Sequence, residues 1–276
     1  NIGEVLNQGF DAYINWNDKI GRDFTYNVGF NVTYTKNKLR KSSEFGDIEE
    51  YRKAIGRPTS TIFGWEAQGL FGKDVALEGH PKQIFGSYQV GDIAYADLND
   101  DKMIDDNDKK SIGQSFPTTT MGIDVALNYK GIGLYVLGTA TAGITKMCTS
   151  SYYWNSGLNG YSVLAADRYH PANNPEGTQP RLTTKSAENN QRDSSFWEEN
   201  GSFLRLKNIE LSYTFTSGWI KSLGLSNLKL YVNGNNLWVW TRMPDDRESN
   251  FAGTGWASQG AYPTVKRINF GLKFTL

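Results

Sequence analysis

The chain has 276 residues, with 29 basic and 29 acidic side chains, and so carries no formal net charge. Neutrality excludes the basic field that holds nucleic acid, and a single cysteine, Cys148, excludes an intrachain disulfide framework. A hydrophobic fraction of 38% and a mean hydropathy of -0.53 are low for a large close-packed globule, yet 13% of the residues are aromatic and 29 are glycine.

The first pattern, Phe10-Asp11-Ala12-Tyr13-Ile14-Asn15-Trp16, alternates weakly and predicts a strand over about 6–16. Beyond the polar turn 17–22, Phe24, Tyr26, Val28, Phe30, Val32 and Tyr34 alternate with Thr25, Asn27, Gly29, Asn31 and Thr33. That predicts a strand over about 23–36 with one face wholly aromatic or β-branched. The basic run 36–41 then opens a very long connection, 37–117, and reads as a solvated loop edge, as does Lys109-Lys110. Neither run has the interleaved aromatics of a single-strand binder. Within this connection, 61–71 and 83–88 read as extensions of the sheet beyond its long strands. Met121, Ile123, Val125, Leu127 and Tyr129 place a strand over about 118–130, and Lys130-Gly131 reverses tightly into another over 132–142. A connection rich in Ser, Tyr, Asn and Pro fills 143–201. Ile209, Leu211, Tyr213 and Phe215 mark a strand over 203–216, and Leu228, Leu230 and Val232 one over 227–240. After the connection 241–262, Ile268, Phe270, Leu272, Phe274 and Leu276 form one side of a last strand over 264–276.

What touches the apolar faces divides two architectures. A secreted β-sandwich or jelly roll covers them with a second sheet, whereas a transmembrane antiparallel β-barrel leaves them to lipid. The runs 24–34 and 121–129 reach the 9 to 11 residues that a tilted strand needs to cross the apolar layer, and short turns alternate with long loops as in outer-membrane barrels. Trp16, Tyr129, Trp219, Trp238 and Trp240 lie near strand ends, where rings sit at headgroup level in a barrel or pack against the core near the turns of a soluble sheet. With the last strand descending, the three long connections become extracellular and the C-terminus periplasmic. Seven strands are odd in number, whereas bacterial single-chain barrels use even numbers, so the chain reads as a segment of one. It opens on Asn1-Ile2-Gly3-Glu4 without an initiator methionine, and an export signal and earlier domains are expected upstream.

One stretch spaces oxygens as a calcium loop does. Asp97, Asn99 and Asp101 fall at positions 1, 3 and 5, with the Met103 carbonyl at 7, Asp105 at 9 and Asp108 at 12. Lys102 stands where such loops carry glycine, and Asp108 is shorter than the usual Glu. The loop is a candidate for structural Ca2+ or an equally good candidate for a solvated acidic turn. No cofactor is otherwise required, and no catalytic residue stands out. His80 and His170 are far apart without Cys or His partners, Cys148 reads as an ordinary loop residue, and no pair of carboxylates is nominated for glycosidic cleavage. The aromatics of the long loops, Tyr152, Tyr153, Trp154, Tyr169, Trp197 and Trp256, suit stacking on a ligand, docking a partner, or packing loop against loop.

Taken together, these residues resemble the C-terminal part of the barrel of the SusC/RagA family, the TonB-dependent outer-membrane transporters of Bacteroidetes. The resemblance spans the chain. It rests on Asn1-Ile2-Gly3-Glu4-Val5 with Asn7-Gln8-Gly9-Phe10, and on Gly91-Asp92-Ile93-Ala94-Tyr95-Ala96-Asp97-Leu98-Asn99 leading into Asp105-Asp106-Asn107-Asp108. Further on it rests on Gly201-Ser202-Phe203-Leu204-Arg205-Leu206, Asn233-Gly234-Asn235-Asn236-Leu237 and Tyr262-Pro263-Thr264. It implies a barrel of 22 strands, with a plug domain and a TonB-contacting region outside this chain, outer-membrane lipid around it, and a SusD-like lipoprotein lid. The implied activity is import of a glycan, or in some relatives an oligopeptide, and not bond chemistry. In the family pattern Asp-Leu-Asn continues as Gly-Asp-Gly, and this chain departs from it at Asp100-Asp101-Lys102.

Overall fold

In a computed structural model the described residues are 3–43, 48–150, 152–155, 157, 161–185, 187–216, 218–244 and 264–276. The chain begins with a hairpin of β1 (Glu4–Ile20) and β2 (Phe24–Lys41). The first long connection holds β3 (Thr61–Trp65), β4 (Ala67–Leu70), β5 (Lys82–Gln83), β6 (Ile93–Tyr95), β7 (Met103–Ile104) and β8 (Lys109–Gln114). A second hairpin, β9 (Thr119–Tyr129) and β10 (Ile132–Ala142), leads into a connection with β11 (Thr145–Met147) and β12 (Glu198–Asn200). Then come β13 (Phe203–Phe215), the short helix α1 (Gly218–Ser222), β14 (Asn227–Thr241) and β15 (Arg267–Thr275).

Seven of these strands make one antiparallel sheet in the order β1-β2-β9-β10-β13-β14-β15. Because side chains alternate strictly along a strand, register decides whether like faces meet like. Here they do. Trp16, Val28, Val125, Val136, Ile209, Gly234 and Ile268 stand in one row across all seven strands. The adjacent row on the opposite face is Asn15, Gly29, Asp124, Leu137, Asn208, Asn235 and Arg267. Amides recur on that face: Asn27 donates to Asn15 Oδ1 at 2.7 Å, and Asn269 donates to Asn233 Oδ1 at 3.1 Å. Close approach is managed by glycine, since a Cβ at Gly29 would lie 2.2 Å from an Asp124 carboxylate oxygen and one at Gly271 2.3 Å from the Tyr231 ring.

Nothing among the described residues covers the apolar face. Ile14 is 64% exposed, Phe270 83% and Leu272 62%, whereas a sandwich would bury them beneath a second sheet. The strands also outrun a bilayer. At about 3.3 Å per residue, the 17 residues of β1 and 18 of β2 exceed the roughly 9 to 11 that crossing requires. The basic run at 36–41, expected as a loop edge, therefore continues β2, where Arg40 and Lys41 reach Glu4 of β1 at 3.4 and 3.2 Å.

The buried core lies elsewhere, between the two long connections. Trp65, Leu70, Phe85, Ile93, Tyr95 and Ile104 of the first pack with Cys148, Tyr153, Tyr169 and Trp197 of the second. Cys148 is thus a core residue and not an ordinary loop residue. Segments 61–71 and 83–88 do not extend the main sheet, because their strands pair locally, β3 with β8, β4 with β6 and β5 with β7. Amides tie the halves together. Gln83 donates to Asn189 Oδ1 at 2.6 Å and to Ile93 O at 3.1 Å, while its Oε1 accepts from Tyr95 N at 2.7 Å. Asn190 Oδ1 accepts from Ile93 N at 2.9 Å, and Tyr95 Oη donates to Asn189 O at 2.7 Å.

Replacing Gln83 with Leu keeps its bulk but leaves Tyr95 N–H and Asn189 Oδ1 buried without those partners. The expected cost is about 1–3 kcal/mol for each group. Limited proteolysis should then cut within 48–117 and 161–200 while the seven-stranded sheet stays resistant. Equal protease resistance of Q83L and the parent would show that the amide cluster is not the tie.

Candidate functional site

The 97–108 loop is held by its own carboxylates. Asp97 Oδ2 accepts from Lys102 N at 2.9 Å, Asn99 Oδ1 from Asp101 N at 3.1 Å, and Asp101 Oδ1 from Met103 N at 2.8 Å. Asp105 Oδ1 accepts from Asn107 N at 2.6 Å and caps a short 3-10 turn. Fully buried Asp108 accepts from Leu98 N at 2.7 Å and from Asp105 N at 2.8 Å. Lys102 takes φ 71°, the left-handed conformation glycine adopts without penalty. Among the described residues no group of three His, Cys, Asp or Glu side chains is placed to hold a metal ion. The loop is also anchored to the core, since Trp65 Nε1 donates to Asp105 O at 2.7 Å.

The six nominated aromatics separate. Tyr153, Tyr169 and Trp197 are buried in the core between the connections, Trp154 packs against it, and Tyr152 is exposed. Trp256 lies outside the described residues. The space bounded by Tyr153, Trp154 and Trp197 is only about 20 Å³, room for about one water. Packing of loop on loop accounts for most of this aromatic area. His170, in the same region, is exposed, and its Nδ1 accepts from Ala172 N and Asn173 N at 3.2 and 3.1 Å.

A larger space opens where the two connections meet the end of the sheet. It measures about 450 Å³ and is lined by Arg57, Thr61, Ser111, Gln114, Thr145 and Glu198, among others. These residues come from widely separated segments, so no local spacing could have announced them. Gln114 is fixed by donating to Gly143 O at 2.6 Å. Burial, with the Glu199 carboxylate beside it, holds the Glu198 carboxyl above the ordinary range, and Lys110 opposes this. Burial likewise raises Glu199 and lowers Lys146, its cross-strand neighbour. Hydroxyls, amides and partly desolvated charges make the cleft a hydrogen-bonding surface. Among the described residues that line it no nucleophile is paired with a base.

A lipid-facing apolar side, a polar inner side and large loops at one end define a segment of a transmembrane antiparallel β-barrel. No helix among the described residues is long and apolar enough to cross a membrane. No family model matches the chain. It is 26% identical over 294 residues to TonB-dependent receptor P3 of Formosa agariphila, covering 99% of this chain and 29% of that receptor. It is 24% identical over 237 residues to TonB-dependent receptor SusC of Bacteroides thetaiotaomicron, covering 79% of this chain and 21% of SusC. In structure it superposes on the RagAB peptide transporter with a TM-score of 0.71 at 19% identity, over 99% of this chain and 30% of that one. The chain is SusC/RagA-like. It spans less than a third of the length of these relatives, which are named as receptors and a transporter and not as enzymes.

Two outcomes are expected. Val28→Lys or Leu127→Lys on the apolar face should cost roughly 2 to 4 kcal/mol near mid-bilayer, whereas Asn31→Lys on the opposite face should be far milder. Heat-modifiable gel migration of the whole protein reads this, and equal damage from all three would refute the assignment of faces. The second concerns pH. A folded pKa raised above the unfolded value favours the protonated fold, so the loop region gains stability as pH falls through the raised value of Glu198. Glu198→Gln should be more stable than the parent at pH about 7 and lose part of this dependence, as near-UV circular dichroism melts at two pH values would show.

Proposed function

We propose that the chain supplies the C-terminal strands and outer loops of a TonB-dependent outer-membrane barrel that actively imports a large nutrient, a glycan or oligosaccharide, under a SusD-like lipoprotein lid. In this reading the long connections face outward and carry the cleft at the rim, the C-terminus faces the periplasm, and TonB engages a region outside the chain. The observation that carries it is one sheet with an uncovered apolar face backed by a face rich in neutral amides, among them Asn15, Asn27, Asn31, Asn208, Asn235 and Asn269. Amides both donate and accept, which fits a hydroxyl-rich cargo better than a wall of charges. Enclosure between lid and barrel raises the local concentration of such a cargo without any covalent step.

An oligopeptide cargo is the second reading, favoured by the fold likeness to a protein named as a peptide transporter. Cells lacking the gene for the whole protein decide between them. With fluorescent oligosaccharide and oligopeptide mixtures as probes, deletion should abolish TonB-dependent oligosaccharide uptake and spare peptide uptake. The reverse pattern supports the second reading, and no change in either refutes import.

A further inference from the structure

On β2 the lipid-facing side does not stop at the apolar band. Its even positions from Phe24 to Tyr34 are aromatic or β-branched, and the next three side chains on that face are Lys36, Lys38 and Arg40, all exposed. At about 3.3 Å per residue and a tilt of about 45°, the stretch from Phe24 to Tyr34 rises about 23 Å, which fills an outward apolar band of about 25 Å. Lys36 then stands about 5 Å beyond Tyr34, within a headgroup layer about 5 to 8 Å deep. This is the end of the sheet from which the first long connection departs.

Neighbouring strands do not make this change from rings to cations. The row through Tyr34 runs on as Thr119 and Ala142, and the row beneath it ends in Leu204 and Trp240, all uncharged. Nor do the cations sit at an open edge. β2 is flanked by β1 on one side and by β9, then Gly56 and Arg57, on the other, so strands that continue the sheet beyond β1 do not adjoin it. A plug would lie against the opposite face. Arg40 and Lys41 are taken up by Glu4, whereas Lys36 and Lys38 make no ion pair among the described residues.

Opposite these two lysines on β1 stand Gln8 and Leu6, and directly below them Phe10 meets Tyr34 with ring centroids 5.8 Å apart. Two ammonium groups on stems about 7 Å apart thus overhang an aromatic pair at the border of the hydrocarbon. Lysine is a compact point charge with three donors, suited to the oxygens of a phosphate. A soluble anion would use the cations and leave the rings idle. An amphiphile with its phosphate at headgroup height and its chains below uses both.

We propose that Lys36 and Lys38, with the Phe10–Tyr34 pair beneath them, bind a phosphorylated lipid of the outer leaflet, its phosphate on the ammonium groups and its first acyl segment against the rings. The inference rests on the reading of the chain as a barrel segment with its long connections outward. It adds a lipid that fixes the height of the first hairpin in the bilayer.

The test is native mass spectrometry of the purified whole protein in detergent, titrated with lipid A or with its dephosphorylated form. The phosphorylated lipid should bind more tightly. Lys36→Gln with Lys38→Gln should weaken it by about tenfold or more and leave the dephosphorylated form unchanged, whereas Arg at both positions should preserve it. Lys273→Gln, on the polar face, should have no effect. Heat-modifiable migration confirms that each variant folds. Equal affinity for the two lipids, or an affinity unchanged in the double Gln variant, overturns the proposal. Inorganic phosphate that competes as well as added lipid assigns the lysines to a soluble anion and overturns the lipid. Loss of a co-purifying lipoprotein from the double variant, with lipid affinity intact, assigns them to protein docking and overturns it too. Labelling of Ser43→Cys by an impermeant maleimide separates this inference from the reading beneath it. If intact cells are labelled and lipid affinity ignores Lys36 and Lys38, only this inference fails; if labelling needs lysed cells, the outward placement of the long connections fails with it.

Discussion

A backbone amide or carbonyl facing hydrocarbon has nowhere to bond except within its own sheet, and the structure follows from that constraint. Each long strand must be paired along its whole membrane depth, so register is not free. Once register is set, alternation does the rest: rows such as Trp16 to Ile268 become continuous across seven strands, and the side facing away from them becomes continuous too. A slip of one residue between β2 and β9 would bring Val28 beside Asp124 or Ala126 and put a polar residue into the apolar band. The low bulk hydrophobicity follows as well, since the apolar residues form a skin one side chain deep and need no interior counterpart.

The constraint also explains why the close-packed core is not in the sheet. A sheet with lipid on one side and a polar space on the other has no place to bury a tryptophan against another. Burial of Trp65, Tyr95 and Trp197 instead comes from folding the two long connections on each other. That region is ordinary water-soluble protein in its physics. The Trp65 and Phe85 rings meet edge to face with their centroids 4.7 Å apart, buried amides satisfy each other, and Lys109 lies 4.3 Å from the centroid of the Trp65 ring. Lys110 reaches Glu66 at 2.6 Å, so the two lysines expected as a loop edge lie on β8 and help clamp it.

Legibility in the sequence divides along the same line. Phe24 to Tyr34 and Met121 to Tyr129 could be read as strands because each has a lipid face to keep apolar, and β2 and β9 are indeed neighbours. From Lys36 onward β2 has no such face, apolar alternation loses its meaning, and the strand is held by pairing with β1 and by the first long connection, where Leu39 exchanges backbone bonds with Gly56 and Arg57. In the region between the connections no period exists to read. Gln83 meets Asn189 across 106 positions, and nothing in either neighbourhood distinguishes these amides from the solvated ones nearby. The acidic loop was legible as a turn rich in oxygen ligands, but side chains at that spacing also satisfy the backbone of a tight turn, and here the carboxylates accept from N–H groups of their own segment. The aromatics of 152–197 were legible as important and ambiguous in role, since stacking on a ligand and packing in a core ask for the same rings.

The edges of the sheet carry the argument further. Among the described residues, β1 and β15 each pair on one side only, yet both carry the apolar face that belongs in hydrocarbon. An unpaired strand edge in lipid would cost several kcal/mol for every exposed backbone group, far more than a protein's whole margin of stability. Charge, the usual remedy for a soluble edge, is confined on β15 to Arg267 and Lys273 of the polar face, while Ile268, Phe270, Leu272 and Phe274 share the apolar one. The seven strands are therefore stable in a membrane only when further strands continue the sheet from both sides until it closes. Closure fixes which way each face looks: it turns the row from Asn15 to Arg267 inward, because a barrel with those amides outward would set them against lipid.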